Sequence, residues 1–210
     1  MLRFEGLDKS YGERKIFHNT SYSLDCGVYA LQGSNGIGKS TLLKLLSGAE
    51  ALDAGEVWIN GTSLIRSPLA AKQRLSYAPD DCPIYPFMTG RALLNFVAMT
   101  KKVELGPDIL DLVHDFGLNV YLDTRIDAMS LGTQKKFLLS AAWIGDPQVL
   151  FLDEPSNGLD AEARELVVRL FQERQHRSTV LFSAHDADFV VATNATVLTM
   201  DHILTKTAHG

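Results

Sequence analysis

The sequence predicts an α/β fold on a mainly parallel sheet, with a small helical insertion. Three observations carry that prediction. The last third alternates apolar strand segments with helical ones, the pattern of a parallel sheet covered on both faces. A glycine-rich turn stands between a compact apolar strand and a helix. At roughly residues 85–140, proline punctuation gives way to apolar residues at helical spacing.

Taken in order, Leu2, Phe4 and residues 20–24 alternate with period two and read as N-terminal strands. Residues 28–32 form a compact apolar strand that runs into glycine. Residues 56–60 read as a strand turning at Asn60-Gly61. Pro79, Pro83 and Pro86 punctuate the entry to the insertion. Helical spacing follows over residues 91–101, through Leu93, Leu94 and Val97, and over 107–116, through Leu110 and Val113. A third helix is expected over 132–144, capped by Ser130. Residues 149–152 are a fully apolar strand. Residues 161–175 form a helix carrying Leu166, Val167, Leu170 and Phe171. A strand at 179–182, a short helix at 187–192 and a strand at 195–199 complete the alternation.

Composition narrows the class. The 210 residues suit a single domain, and 46% hydrophobic residues support a real core. Twenty Lys and Arg against 25 Asp and Glu give a net charge of −5, which argues against a general nucleic-acid binder. Cys26 and Cys82 lie far apart and outside any CxxC pair, so neither a disulfide framework nor a zinc site is expected. The longest apolar run, residues 137–145, is about half of the ~20 residues a spanning helix needs. The N-terminus has no apolar signal-peptide core. These features lead to the expectation of a cytosolic globular domain spanning residues 1–210.

The strongest chemical signal is Gly33-Ser34-Asn35-Gly36-Ile37-Gly38-Lys39-Ser40-Thr41. It fits G-x-x-x-x-G-K-[ST] between strand and helix, the context of a phosphate-binding loop. Glycines let backbone N–H groups turn toward phosphate oxygens, and the helix offers its positive end to the same anion. Lys39 is placed for the β- and γ-phosphates and Ser40 for Mg2+. Downstream, the strand ending in Asp153-Glu154 puts carboxylates where ligands of parallel sheets bind. Asp153 can hold Mg2+, and Glu154 is placed to take a proton from attacking water.

With these residues in place, the chain resembles the ATP-binding subunit of an ABC transporter over residues 2–199. The resemblance implies a P-loop NTPase core with N-terminal antiparallel strands and a small helical subdomain, ATP and Mg2+ as ligands, and hydrolysis at a dimer interface. Tyr11, in Lys9-Ser10-Tyr11-Gly12, matches the aromatic that stacks on adenine; its plainer reading is a strand-end core tyrosine. Ser130-Leu131-Gly132-Thr133-Gln134 falls at the family signature, where a helix N-terminus meets ATP bound to the second subunit. Leu131 and Thr133 depart from the family pattern there. Asn157-Gly158-Leu159-Asp160 resembles the loop that touches the opposite subunit, and Asp160 also reads as a helix cap. His185 matches the switch histidine that bonds the γ-phosphate and steadies Glu154.

The clearest departure is Asp80, where the family carries glutamine. An aspartate can contribute to Mg2+, yet an added anion beside a polyphosphate is unfavourable unless it is offset. A register one residue on would make Asp81 the counterpart. The apolar segment at residues 82–88 either packs under the insertion or forms a groove wall for a helix of a membrane subunit.

The implied function is an ATP-hydrolysing subunit, exporter-type, that powers a membrane permease in a separate chain. It would be peripheral on the cytoplasmic face through that permease. A second ATP-binding subunit is expected, as a homodimer in preference to a heterodimer, and no nucleic acid. Two other readings compete with it. A soluble clamp acting on nucleic acid or ribosome is opposed by the single set of motifs and the absence of a heptad run. A regulatory partner in an asymmetric pair would have Leu131 and Thr133 degrade the partner's site while Lys39, Glu154 and His185 stay competent.

Overall fold

In chain order the first elements are β1 (Leu2–Tyr11), β2 (Arg14–Leu24), β3 (Gly27–Gln32), α1 (Lys39–Ser47), β4 (Ala54–Ile59) and β5 (Thr62–Ser63). Next come α2 (Pro68–Arg74), β6 (Leu75–Ala78), α3 (Gly90–Lys101), α4 (Pro107–Asp115) and α5 (Leu131–Ala142). The chain closes with β7 (Val149–Asp153), α6 (Ala161–Arg174), β8 (Thr179–Ser183), α7 (Ala187–Ala192), β9 (Thr196–Thr199) and α8 (Met200–Thr205). This computed structural model describes residues 1–81 and 84–205.

Alternation at the N-terminus builds an antiparallel sheet in the order β2-β1-β4-β5. Leu2 lies opposite both Leu24 and Ile59, so one register places the apolar residues of three strands on one buried face. The second sheet is parallel, in the order β6-β7-β8-β3-β9. Every residue of β7 and β8 is buried, as strands covered on both faces require.

The two-residue period sorts β7 between two cores. Val149 and Phe151 join Leu42, Leu43 and Leu46 of α1 and the apolar face of the antiparallel sheet. Leu150 and Leu152 join α6 and the insertion helices on the opposite face. There Leu93, Leu94, Ile109, Leu112, Val113 and Phe137 pack α3, α4 and α5 together.

The helices begin where capping chemistry allows. The Ser130 hydroxyl accepts the Thr133 N–H at 3.2 Å, and the Asp160 carboxylate accepts the Ala163 N–H at 2.9 Å. Lys136 also donates to Asp160 at 2.6 Å, and its hydrogen bond, followed by that of the Ala163 amide, lowers the Asp160 pKa.

Several expectations are corrected by the packing. Leu110 is 51% exposed, and Ile109 and Leu112 carry the buried stripe of α4 with Val113. Four elements had no sequence expectation: β5, α2, β6 and α8. In the segment at 82–88, Cys82 and Pro83 lie outside the described residues. Ile84 and Met88 pack against the core, while Tyr85 and Phe87 stand exposed with rings stacked at 5.5 Å. The packed reading therefore holds for two of these side chains, and two others remain on the surface. Among the described residues, no helix is long and apolar enough to cross a membrane.

Candidate active site

The phosphate loop leaves the carboxyl end of β3, the side on which parallel sheets bind ligands. Its turn into α1 depends on Gly38, whose φ of 114° is strained for any side chain. A Cβ at Gly38 would also lie 2.9 Å from the Ile16 side chain. Lys39 is buried, and its ammonium donates to the carbonyls of Gly33 at 2.7 Å and Ser34 at 3.4 Å. The antiparallel sheet supports the same loop, because Arg14 donates to the Gly36 carbonyl at 3.1 Å. Ser40 and Thr41 follow in the first turn of α1.

Two strands away in the sheet order, β7 ends on Asp153 and Glu154 follows. The neighbouring strand β8 ends on Ser183, directly in register with Asp153. The Ser183 hydroxyl donates to Asp153 Oδ1 at 2.6 Å and accepts the Glu154 N–H at 3.0 Å. One serine therefore ties the Asp153 carboxylate to the Glu154 backbone. The His185 backbone N–H donates to Glu154 Oε2 at 3.2 Å. The His185 ring stands with Nε2 3.4 Å from Glu154 Oε1, outside hydrogen-bond geometry. Glu154 Oε1 is buried and has no hydrogen-bond partner among the described residues. A buried carboxylate oxygen without a donor is costly, and it is suited to accept a proton from a water brought beside it. The Glu154 backbone is left-handed, with φ 48°.

These groups share one cleft of about 350 Å³, lined by the phosphate loop with Asp80, Asp153, Glu154, Asn157 and His185. The donor chemistry fits Mg2+. Among the described residues, no group of three or more His, Cys, Asp or Glu is placed to hold a metal alone. A hydroxyl and a carboxylate, Ser40 and Asp153, line the cleft beside the loop. Hard oxygens of that kind suit a cation that takes its remaining ligands from phosphate and water.

Asp80 reaches the cleft wall with its carboxylate engaged. Lys135 donates to Asp80 Oδ1 at 3.2 Å, and Asn157 to the same oxygen at 3.4 Å. Tyr11 lies outside the cleft lining and is 47% exposed, so the core reading does not hold. Its hydroxyl donates to Glu50 Oε1 at 2.5 Å, and the Lys9 ammonium binds the same carboxylate at 2.9 Å. Lys9 also lies 5.2 Å from the Tyr11 ring centre. The bond to Glu50, with burial adding to it, raises the Tyr11 phenol above its ordinary pKa.

The signature segment stays off the cleft of its own chain. Ser130 caps α5, Thr133 bonds the Ser130 hydroxyl at 2.8 Å, and Leu131 is 78% exposed. Gly132 is required by a close approach: a Cβ there would lie 2.7 Å from the Gly158 carbonyl oxygen. The segments at 130–133 and 157–160 therefore meet backbone to backbone.

Three residues were missed by the sequence: Ser183, Lys135 and Glu50. Only the pairing of β7 with β8 reveals Ser183, and no local pattern marks the other two. Ser183→Ala leaves the Asp153 oxygen and the Glu154 amide without their buried partner. It is expected to cost about 1–3 kcal/mol of stability by urea unfolding and to lower turnover.

Comparisons with known proteins identify the family and the fold. The family profile described as ABC transporter matches residues 17–157. The linearmycin resistance ATP-binding protein LnrL of Bacillus subtilis (strain 168) is 28% identical over 193 residues, covering 88% of this chain and 61% of its own length. The lantibiotic transport ATP-binding protein SrtF of Streptococcus pyogenes is 31% identical over 191 residues, covering 88% of this chain and 80% of its own length. A solved dimeric ATP-binding cassette in a post-hydrolysis state, bound to ADP and Pi, shares the fold. Its TM-score is 0.79 at 17% identity, over 95% of this chain and 94% of that one. On this evidence the chain belongs to the ABC transporter family, whose ATP-binding domains hydrolyse ATP.

Proposed function

We propose that this chain is the ATP-hydrolysing subunit that powers a separate membrane permease, in a transporter of exporter type. The observation that carries the catalytic part is the buried Glu154 oxygen that no hydrogen bond holds, facing the His185 ring in a cleft shared with the phosphate loop. In this reading Tyr11 stacks on adenine, and residues 33–41 hold the phosphates through backbone N–H groups and Lys39. Ser40 and Asp153 would hold Mg2+, while the Asp80 carboxylate at the wall is engaged by Lys135 and Asn157 and is left out of the metal's ligands. When bound, Mg2+ offsets negative charge on the β- and γ-phosphates. Glu154 takes the proton of the attacking water, and His185 contacts the γ-phosphate while its backbone N–H fixes the Glu154 carboxylate.

A second copy of the chain would complete each site with Ser130 and Gly132, beside its loop at 157–160. The exposed Leu131 and the cap at the start of α5 support a surface made for such a contact. The dimeric state of the solved neighbour supports it as well. For the permease, the exposed Tyr85 and Phe87 offer an apolar wall. An apolar cleft of about 300 Å³ between α1, β6, α3 and α5 includes Leu75, Leu93, Val97 and Leu138. Docking there would hold the chain on the cytoplasmic face of the membrane. The resistance and lantibiotic-transport names of the relatives support the transport role.

Turnover of the purified chain tests the homodimer. Specific ATPase activity is expected to rise with protein concentration and then level off. Activity per chain that is flat at all concentrations, or that starts only when a different ATP-binding chain is added, would overturn it.

A further inference from the structure

Lys135 is a lysine of α5 that is only 3% exposed. Its ammonium lies behind the wall of the phosphate cleft, against Asp80 and Asp153, which line it. It lies 3.2 Å from Asp80 Oδ1, 3.3 Å from the Asp153 carbonyl oxygen and 3.5 Å from the Asp80 carbonyl oxygen. Asn157 Nδ2 donates to the same Asp80 oxygen at 3.4 Å. An ammonium removed from water is unfavourable unless it is paired and hydrogen-bonded, and here it has both kinds of partner. Asp80, for its part, is a carboxylate on the wall of a cleft built for polyphosphate. Left alone it would repel the ligand.

We propose that Lys135 is a positioning residue of the ATP site: it holds the Asp80 carboxylate against the cleft wall and cancels its charge. The wall then presents a neutral ion pair beside the phosphates. The proposal rests on the reading of this cleft as the ATP site. The pair also connects the cleft to the helix capped by Ser130, because Lys135 sits little more than one turn into α5.

Equilibrium binding of AMP-PNP, a non-hydrolysable ATP analogue, tests this in the full-length chain with and without Mg2+. Asp80→Asn exposes an uncompensated ammonium to the phosphates, so affinity should rise about threefold to tenfold in both conditions. Lys135→Gln exposes the carboxylate instead, and affinity should fall about tenfold. The double variant Asp80→Asn with Lys135→Gln is neutral again and should return to within about twofold of the parent. Asp80→Asn leaves Lys135 an amide oxygen and the carbonyls of Asp80 and Asp153 as acceptors, thermal unfolding checks that each variant is folded, and Asp80→Asn decides the matter even if Lys135→Gln unfolds.

Unchanged affinity in Asp80→Asn overturns the proposal. Weakening of that variant only in Mg2+ also overturns it, by making Asp80 a plain metal ligand. A double variant as weak as Lys135→Gln overturns it too, by reducing Lys135 to a packing role. If the parent chain itself binds no AMP-PNP, the ATP-site reading fails instead, and that result is separate from the other three.

Discussion

Glu154→Gln is expected to keep ATP binding and to lose turnover by about 10²–10⁴-fold. The substitution preserves shape, and its amide oxygen can still accept the His185 backbone N–H that now bonds Oε2. What disappears is the basicity of the carboxylate. Phosphate release at saturating ATP, measured beside ATP binding, separates the two effects. A variant that kept more than roughly a tenth of the parent rate would show that another group takes the proton.

Lys39→Ala should act on binding. The ammonium now bonds the Gly33 and Ser34 carbonyls, so it is held at the loop in advance of a phosphate. A hydrogen bond to a charged group contributes about 1.5–3 kcal/mol, and ATP affinity should therefore fall roughly 10–100-fold. Calorimetric titration with ATP and Mg2+ measures this, and thermal unfolding checks that the chain stays folded. An unchanged affinity would remove the phosphate loop from the binding site.

The contrast between what the sequence reveals and what it hides follows from distance along the chain. The loop at 33–41 and the acids after β7 are legible because each needs only its own flanking strand and helix. Strands β7 and β8 are legible because continuous apolar runs leave them no other place than the interior. Strand β6 is harder: it has four residues, lies at the sheet edge and includes Ser76 and Tyr77. Ser183 acts across a strand pair, 30 residues from Asp153. Lys135 acts 55 residues from Asp80, and next to Lys136 it looks like one more solvated helix charge. Leu110 misled for a local reason. Apolar residues outnumber the buried positions of α4, and periodicity alone does not say which one faces water.

The conformation of Glu154 has a consequence for the evolution of the chain. A left-handed non-glycine backbone costs of order 1–3 kcal/mol, and a buried acceptor without a donor adds to that. Selection for heat resistance alone would favour glycine or asparagine at this position. An acid there instead records a trade between robustness and catalysis. An engineering campaign scored only on melting temperature would meet position 154 early, and its gains there would yield a sturdier but silent protein.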